Sequence, residues 1–298
     1  MIAELSYRFV ESPVRRYGFR GSIVRLGRRF AGPPLVRLQA LTAIIAGVVV
    51  LGGTSVAIVA APDMASGQAV VEAGADALAE AARAAPSATP VPAASVPPAW
   101  SPGSLPPEPS PAPVTGDQLS AIGDSVMLAS APALLERFPG IQVDATVSRS
   151  MWAGPGIAQA LADAGQLRPY VVVALGTNGP VSAESLDQLT QIAGADRELI
   201  LVNASAPRSW TAGVNAALAE FAASHSRVTL ADWARAIEPH PELLAGDLIH
   251  PGDAGGRVFA DAVATAVDAA ALQRAEREYR AALRAYRYNN GMVAPIPQ

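Results

Sequence analysis

Six consecutive residues, Tyr170 to Leu175, read YVVVAL and are apolar throughout. A strand with one face in water alternates apolar and polar side chains, because successive residues point to opposite faces. A strand apolar on both faces has to be covered on both, as in the middle of a parallel sheet flanked by helices. Four more short apolar runs lie around it: LSAI (119–122), IQVDATV (141–147), LILVNA (199–204) and RVTLADW (227–233). Ala-rich stretches with helical spacing, such as VMLASAPALLERF and AGVNAALAEFAASH, lie between these runs. Strands alternating with helices predict an α/β domain over 117–272, a three-layer αβα arrangement around a parallel sheet of about five strands. The stretch from 254 to 286 reads as a long closing helix. Its Arg/Glu-rich distal half and the tail, 273–298, form an extension beyond the domain.

The rest of the chain is different in kind. Residues 40–61, ALTAIIAGVVVLGGTSVAIVAA, carry no charge over 22 positions, and roughly 20 such residues span a bilayer core. A signal peptide has a shorter apolar core, closer to the N-terminus, so a single transmembrane helix is predicted over 38–61. The segment before it, 1–37, holds eight Arg against two Glu. Positive flanks stay inside, which places 1–37 in the cytoplasm and everything after the span outside it. Residues 62–84 predict a short helix or stalk. From 85 to 116 there are eleven prolines, and such a segment behaves as an extended polyproline-like spacer. After residue 61 the chain has 14 Arg against 24 Asp and Glu, a balance that argues against nucleic acid as a partner. With no Cys, disulfides and thiolate metal sites are excluded.

In open parallel sheets, sites form at the carboxyl ends of the strands. The polar motifs of this chain fall there. Gly123-Asp124-Ser125 follows the first strand, Ser148-Arg149-Ser150 the second, and Gly176-Thr177-Asn178-Gly179 the third. Asp247-Leu248-Ile249-His250 precedes the last helix. Taken alone, Ser125 reads as a helix N-cap, a position serine favours. A serine nucleophile needs a base within reach, and the chain has three histidines. His225 lies at a helix end and His240 between two prolines, both ordinary surface settings. His250 has Asp247 three residues before it, a spacing that a tight turn can close into a carboxylate–imidazole pair. Asn178 is either a turn residue or an amide donor to an oxyanion, and Ser148 offers a backbone N–H. Asp124, Arg149, Gly176 and Thr177 are candidates for substrate contact or support.

The joint order of these motifs over 117–270 resembles the SGNH (GDSL-like) hydrolases. It is most similar to the extracytoplasmic SGNH domain fused to acyltransferase-3 membrane proteins, such as peptidoglycan O-acetyltransferases. ELSYRFVESPVRR, 4–16, resembles the closing segment of the acyltransferase-3 domain. The multi-helix body of that domain is not in this sequence, so the chain is expected to be a fragment, a misplaced start or a truncated form. The resemblance implies a flavodoxin-like sheet, with Ser125 as nucleophile, His250 as base and later acid, and Asp247 orienting it. The Ser125 and Ser148 amides and the Asn178 side chain would form the oxyanion hole, although the family often has Gly where this chain has Ser148. No metal or cofactor is implied. The implied partners are a cell-envelope glycan acceptor and an acyl donor delivered by a membrane acyltransferase-3 protein. Two alternatives remain open. One is an esterase giving the same acyl group to water. The other is a non-catalytic tethering module, which predicts Ser125 and His250 beyond hydrogen-bond reach.

Overall fold

The computed structural model describes residues 66–84 and 105–291, together with Pro33. No helix among the described residues is long and apolar enough to cross a membrane. The predicted span at 38–61 lies outside the described residues, as does the Arg-rich segment before it apart from Pro33.

The sheet has five strands: β1 (Leu119–Gly123), β2 (Gln142–Ala145), β3 (Tyr170–Ala174), β4 (Glu198–Val202) and β5 (Val228–Ala231). All pair in parallel, in the order β2-β1-β3-β4-β5, which is the flavodoxin-like arrangement. β3 lies at the centre and every one of its residues is buried. Tyr170, Val172 and Ala174 enter one core layer, and Val171 and Val173 the other.

The helices in chain order are α1 (Ser66–Ala84), α2 (Ser125–Ala129), α3 (Ala131–Arg137), α4 (Gly154–Asp163), α5 (Ala183–Ala193), α6 (Thr211–Ser224), α7 (Trp233–Ile237) and α8 (Asp253–Asn289). One face of the sheet is covered by residues of α2, α3, α7 and α8, where Trp233 and Phe259 meet edge to face at 5.3 Å. The other face is covered by α4, α5 and α6.

The structure departs from the sequence reading in three places. VMLASAPALLERF is two helices rather than one, broken at Ser130. Pro132 has no N–H to continue the ladder and sits at the start of α3, where none is needed. The helix at 66–84 does not stand alone as a stalk: it packs on α2 and α3. The distal half of α8 stays on the domain as far as Arg277. Arg274 donates to the Asp196 carbonyl at 3.1 Å, and Arg277 to the Ser226 carbonyl at 2.6 Å and the Glu198 carboxylate at 2.5 Å.

Candidate active site at the carboxyl ends of the strands

β1 ends at Gly123, and the chain turns at once into α2. The N-cap is Asp124, whose carboxylate accepts the Val126 N–H at 2.9 Å. Ser125 is therefore the first helical residue and not the cap. Asp124 is fully buried. Burial pushes its carboxyl above the ordinary range, against the opposing pull of the Val126 N–H, hydrogen bonds from Thr177 and the charge of His250. Ser125 is 6% exposed, and its backbone N–H falls where a helix offers no acceptor of its own.

The turn at 247–250 supplies the rest. Asp247 Oδ1 accepts the N–H groups of Ile249 at 2.9 Å and His250 at 3.1 Å. Leu248 takes the left-handed conformation, φ 57°, to close the turn. Asp247 Oδ2 then lies 2.6 Å from His250 Nδ1, and His250 Nε2 lies 2.9 Å from Ser125 Oγ. Burial acts to raise the Asp247 pKa. Hydrogen bonds from the His250 ring and from the His250 and Ile249 amides outweigh it and hold the carboxyl below its ordinary 3.8. Asp247 is thus the ionised acceptor, Nδ1 the donor, and Nε2 is left to accept from the Ser125 hydroxyl. The tethering alternative predicts these atoms beyond reach, whereas they are within hydrogen-bond distance.

This geometry fixes a pH dependence. A depressed carboxyl contributes stability that is fully present above its unfolded pKa and is lost as pH falls through the lower folded value. Against Asp247→Asn, the parent is expected to keep a constant margin of stability at neutral and mildly acid pH. The margin closes only below the ordinary carboxyl range, and unfolding midpoints followed across pH would read it.

Asn178 lies on the same rim. Its amide donates to the Arg149 carbonyl at 3.1 Å and lies 3.4 Å from Asp124 Oδ2; the longer contact is the weaker of the two. Gly176 packs against α6, where a Cβ would stand 2.9 Å from Val214. The Thr177 carbonyl accepts from Trp210 Nε1 at 3.2 Å.

Arg149 is a strut. It donates to the carbonyls of Gly123 at 3.2 Å and Asp144 at 2.6 Å, and to the Asp144 carboxylate at 2.8 Å. It thereby ties the ends of β1 and β2 together. An open groove lined by Asp144, Trp152, Ile157 and Leu161 runs along this edge, and Trp152 is 80% exposed.

Ser148 has φ 62°, in the left-handed region, which explains in physical terms why a glycine suits this position. For a residue with a Cβ that conformation costs roughly 1–2 kcal/mol. Glycine gives back about 0.5–1 kcal/mol through its freer unfolded chain. Ser148→Gly is expected to be neutral or stabilising by up to about 1 kcal/mol in urea unfolding. Turnover should be retained if Ser148 contributes the backbone N–H that the resemblance implies, since glycine keeps that group.

What the sequence reading missed is the arrival of α1 at this site. Ser66 Oγ accepts the Gly246 N–H at 3.0 Å, and Gly67 lies against Asp247 and His250. The signal was present in Gly67, Val71, Gly74 and Leu78, which form one small and apolar helical stripe.

The chain is 32% identical over 154 residues to O-acetyltransferase OatA of Staphylococcus aureus, a match covering 51% of this chain and 25% of that protein. It is 36% identical over 143 residues to peptidoglycan O-acetyltransferase OatA of Listeria monocytogenes, covering 48% of this chain and 22% of that protein. Among solved structures, it is similar to the C-terminal catalytic domain of Streptococcus pneumoniae peptidoglycan O-acetyltransferase A, which carries a methylsulfonyl adduct. There the identity is 30% and the TM-score 0.48, with 53% of this chain and 96% of that one covered. No family model matches the chain, which spans a quarter or less of the length of these curated relatives. Over about half its length the chain is thus related in sequence to peptidoglycan O-acetyltransferases, with the motif order of the SGNH (GDSL-like) hydrolases.

Proposed function

We propose that this chain is a serine O-acyltransferase that passes an acetyl group to a hydroxyl of a cell-envelope glycan through an acyl-enzyme on Ser125. The observation that carries this reading is the line of contacts from Asp247 Oδ2 through the His250 ring to Ser125 Oγ, at 2.6 and 2.9 Å.

Ser125 Oγ attacks the acyl carbonyl carbon while its proton passes to His250 Nε2. Asp247 steadies the imidazolium that forms. The negative charge on the carbonyl oxygen is met by the Ser125 and Ser148 N–H groups and by Asn178, which releases its long contact to Asp124 to do so. When the C–O bond to the donor breaks, the departing oxygen takes the proton from His250. In the second half a glycan hydroxyl gives its proton to His250 and attacks the ester, and Ser125 recovers a proton as it leaves. The exposed Trp152 and its groove offer a sugar-sized surface on the same edge of the sheet. The relatives act, by name, on peptidoglycan or as O-acetyltransferases, and this supports a wall glycan as the acceptor class.

The reading extends to placement. A single span at 38–61 anchors the chain, the catalytic domain lies outside the cytoplasmic membrane, and an acyltransferase-3 protein supplies the acyl group from the membrane. The domain scheme of an Arg-rich segment, span, helix, proline-rich linker and SGNH domain belongs to the same proposal.

Mass spectrometry of the purified protein after exposure to an activated acetyl ester tests the chemistry. The expected result is an adduct on Ser125 that a glycan acceptor removes with a matching gain of acetylated glycan. Free acetate released at the same rate with and without acceptor would instead make the protein an esterase, and no adduct would overturn the reading.

A further inference from the structure

Helix α1 buries Gly67, Val71 and Gly74. An interior glycine weakens a helix by about 0.5–1 kcal/mol relative to alanine, so Gly74 calls for a packing reason, and Gly67 in the first turn of α1 shares it. That reason is close approach of the backbone. A Cβ on Gly67 would overlap the Asp247 carboxylate and stand 3.0 Å from His250 Nδ1. A Cβ on Gly74 would overlap the Leu128 carbonyl oxygen. That carbonyl lies four residues before Pro132, which has no N–H to offer it.

Between the two glycines, Val71 packs on Leu128 and Ala129, in the helix that Ser125 begins. Ser66 holds Gly246, the residue before Asp247, at 3.0 Å. Helix α1 therefore touches the acid–base turn with its first residues and the nucleophile's helix with its middle. The turn has need of such a support. Asp247 Oδ1 is held by two backbone N–H groups, but Oδ2 bonds only the His250 ring among the described residues. The Asp247 side chain is 36% exposed, and Leu248 beside it is 51% exposed.

We propose that α1 is a working part of the active site, with Gly67 as a positioning residue. Its bare Cα seats the Asp247 carboxylate against His250, and the helix sets the spacing between the 247–250 turn and α2. The proposal rests on the reading of Ser125, His250 and Asp247 given above.

The test uses the whole chain and turnover of an activated acetyl ester, with Ser125→Ala as reference. Gly67→Ala is expected to lower kcat about tenfold or more with KM within about twofold, because geometry near the reacting atoms is worth that much. It should also move the acid limb of the pH profile to lower pH, since a displaced carboxylate supports the imidazolium less well. If Gly67→Ala does not fold, Ser66→Ala decides. It adds no bulk, and a roughly two- to fivefold fall in kcat is expected, equivalent to loss of part of one hydrogen bond, at the parent's unfolding midpoint. Parental kcat and pH profile in either folded variant, with Ser125→Ala inactive, overturns the role of α1 alone. A loss of activity that only tracks loss of folded protein, with the pH profile unchanged, does the same. An active Ser125→Ala overturns the triad and this proposal together.

Discussion

Ser125→Ala is expected to abolish the acyl-enzyme and to lower turnover of an acetyl ester by roughly four to six orders of magnitude. The magnitude follows from how the three side chains depend on one another. In the proposed mechanism His250 Nε2, 2.9 Å from the Ser125 hydroxyl, takes its proton, and without that hydroxyl it has none to take. Asp247 in turn acts only through the imidazole. His250→Ala should therefore cost about as much as Ser125→Ala, and the double variant little more than either. Burst kinetics with a chromogenic ester would measure all three. Additive losses, or a Ser125→Ala protein within tenfold of the parent, would remove the serine from the chemistry.

Arg277→Ala is expected to destabilise the domain by about 3 kcal/mol or more, the range for breaking a buried ion pair by removing one partner. Glu198 opens β4 at the sheet end opposite the active site, and its side chain is 1% exposed. Arg277 reaches it from α8 at 2.5 Å, while Arg227 stands at 3.6 Å. Burial already pushes the Glu198 carboxyl upward, and the hydrogen bond and charge of Arg277 are the chief forces holding it down, with Arg227 and Arg274 adding to them.

The sign of the pH effect follows. A carboxyl with a raised folded pKa contributes stability when protonated and loses it as pH rises through that value. Removing Arg277 raises it further, so the deficit against the parent should be largest at neutral pH and shrink toward acid pH. Replacing both partners, Glu198→Leu with Arg277→Leu, should recover most of the loss, because no charge is then left buried alone. Urea unfolding at several pH values reads both effects. The folded fraction should retain its turnover, since the clip and the catalytic rim lie at opposite ends of the strands.

Much of the sheet was legible because a strand buried on both faces has few ways to be written. YVVVAL admits only a central place, and β3 takes it. The edge strand β2, half-buried at every residue, was legible for the opposite reason, since its apolar run is broken by Gln142 and Asp144. The site was legible at Asp247 and His250 because a turn brings residues three apart together without help from distant parts of the chain. Ser125 was harder. Its place follows Asp124, and which of two adjacent polar residues caps the helix depends on backbone angles that the letters do not carry. Arg149 as a strut and α1 as a neighbour of the site were illegible for a further reason. Both depend on which elements meet in space. A helix of Ala, Gly and Glu residues looks like a stalk until a partner surface is known.

Helix α1 and strand β1 are parts of one body, and in the sequence the proline-rich stretch stands between them. Helix α1 begins beside the Asp247 carboxylate, so the contacts of the domain reach back to Ser66, 180 residues before Gly246 in the chain.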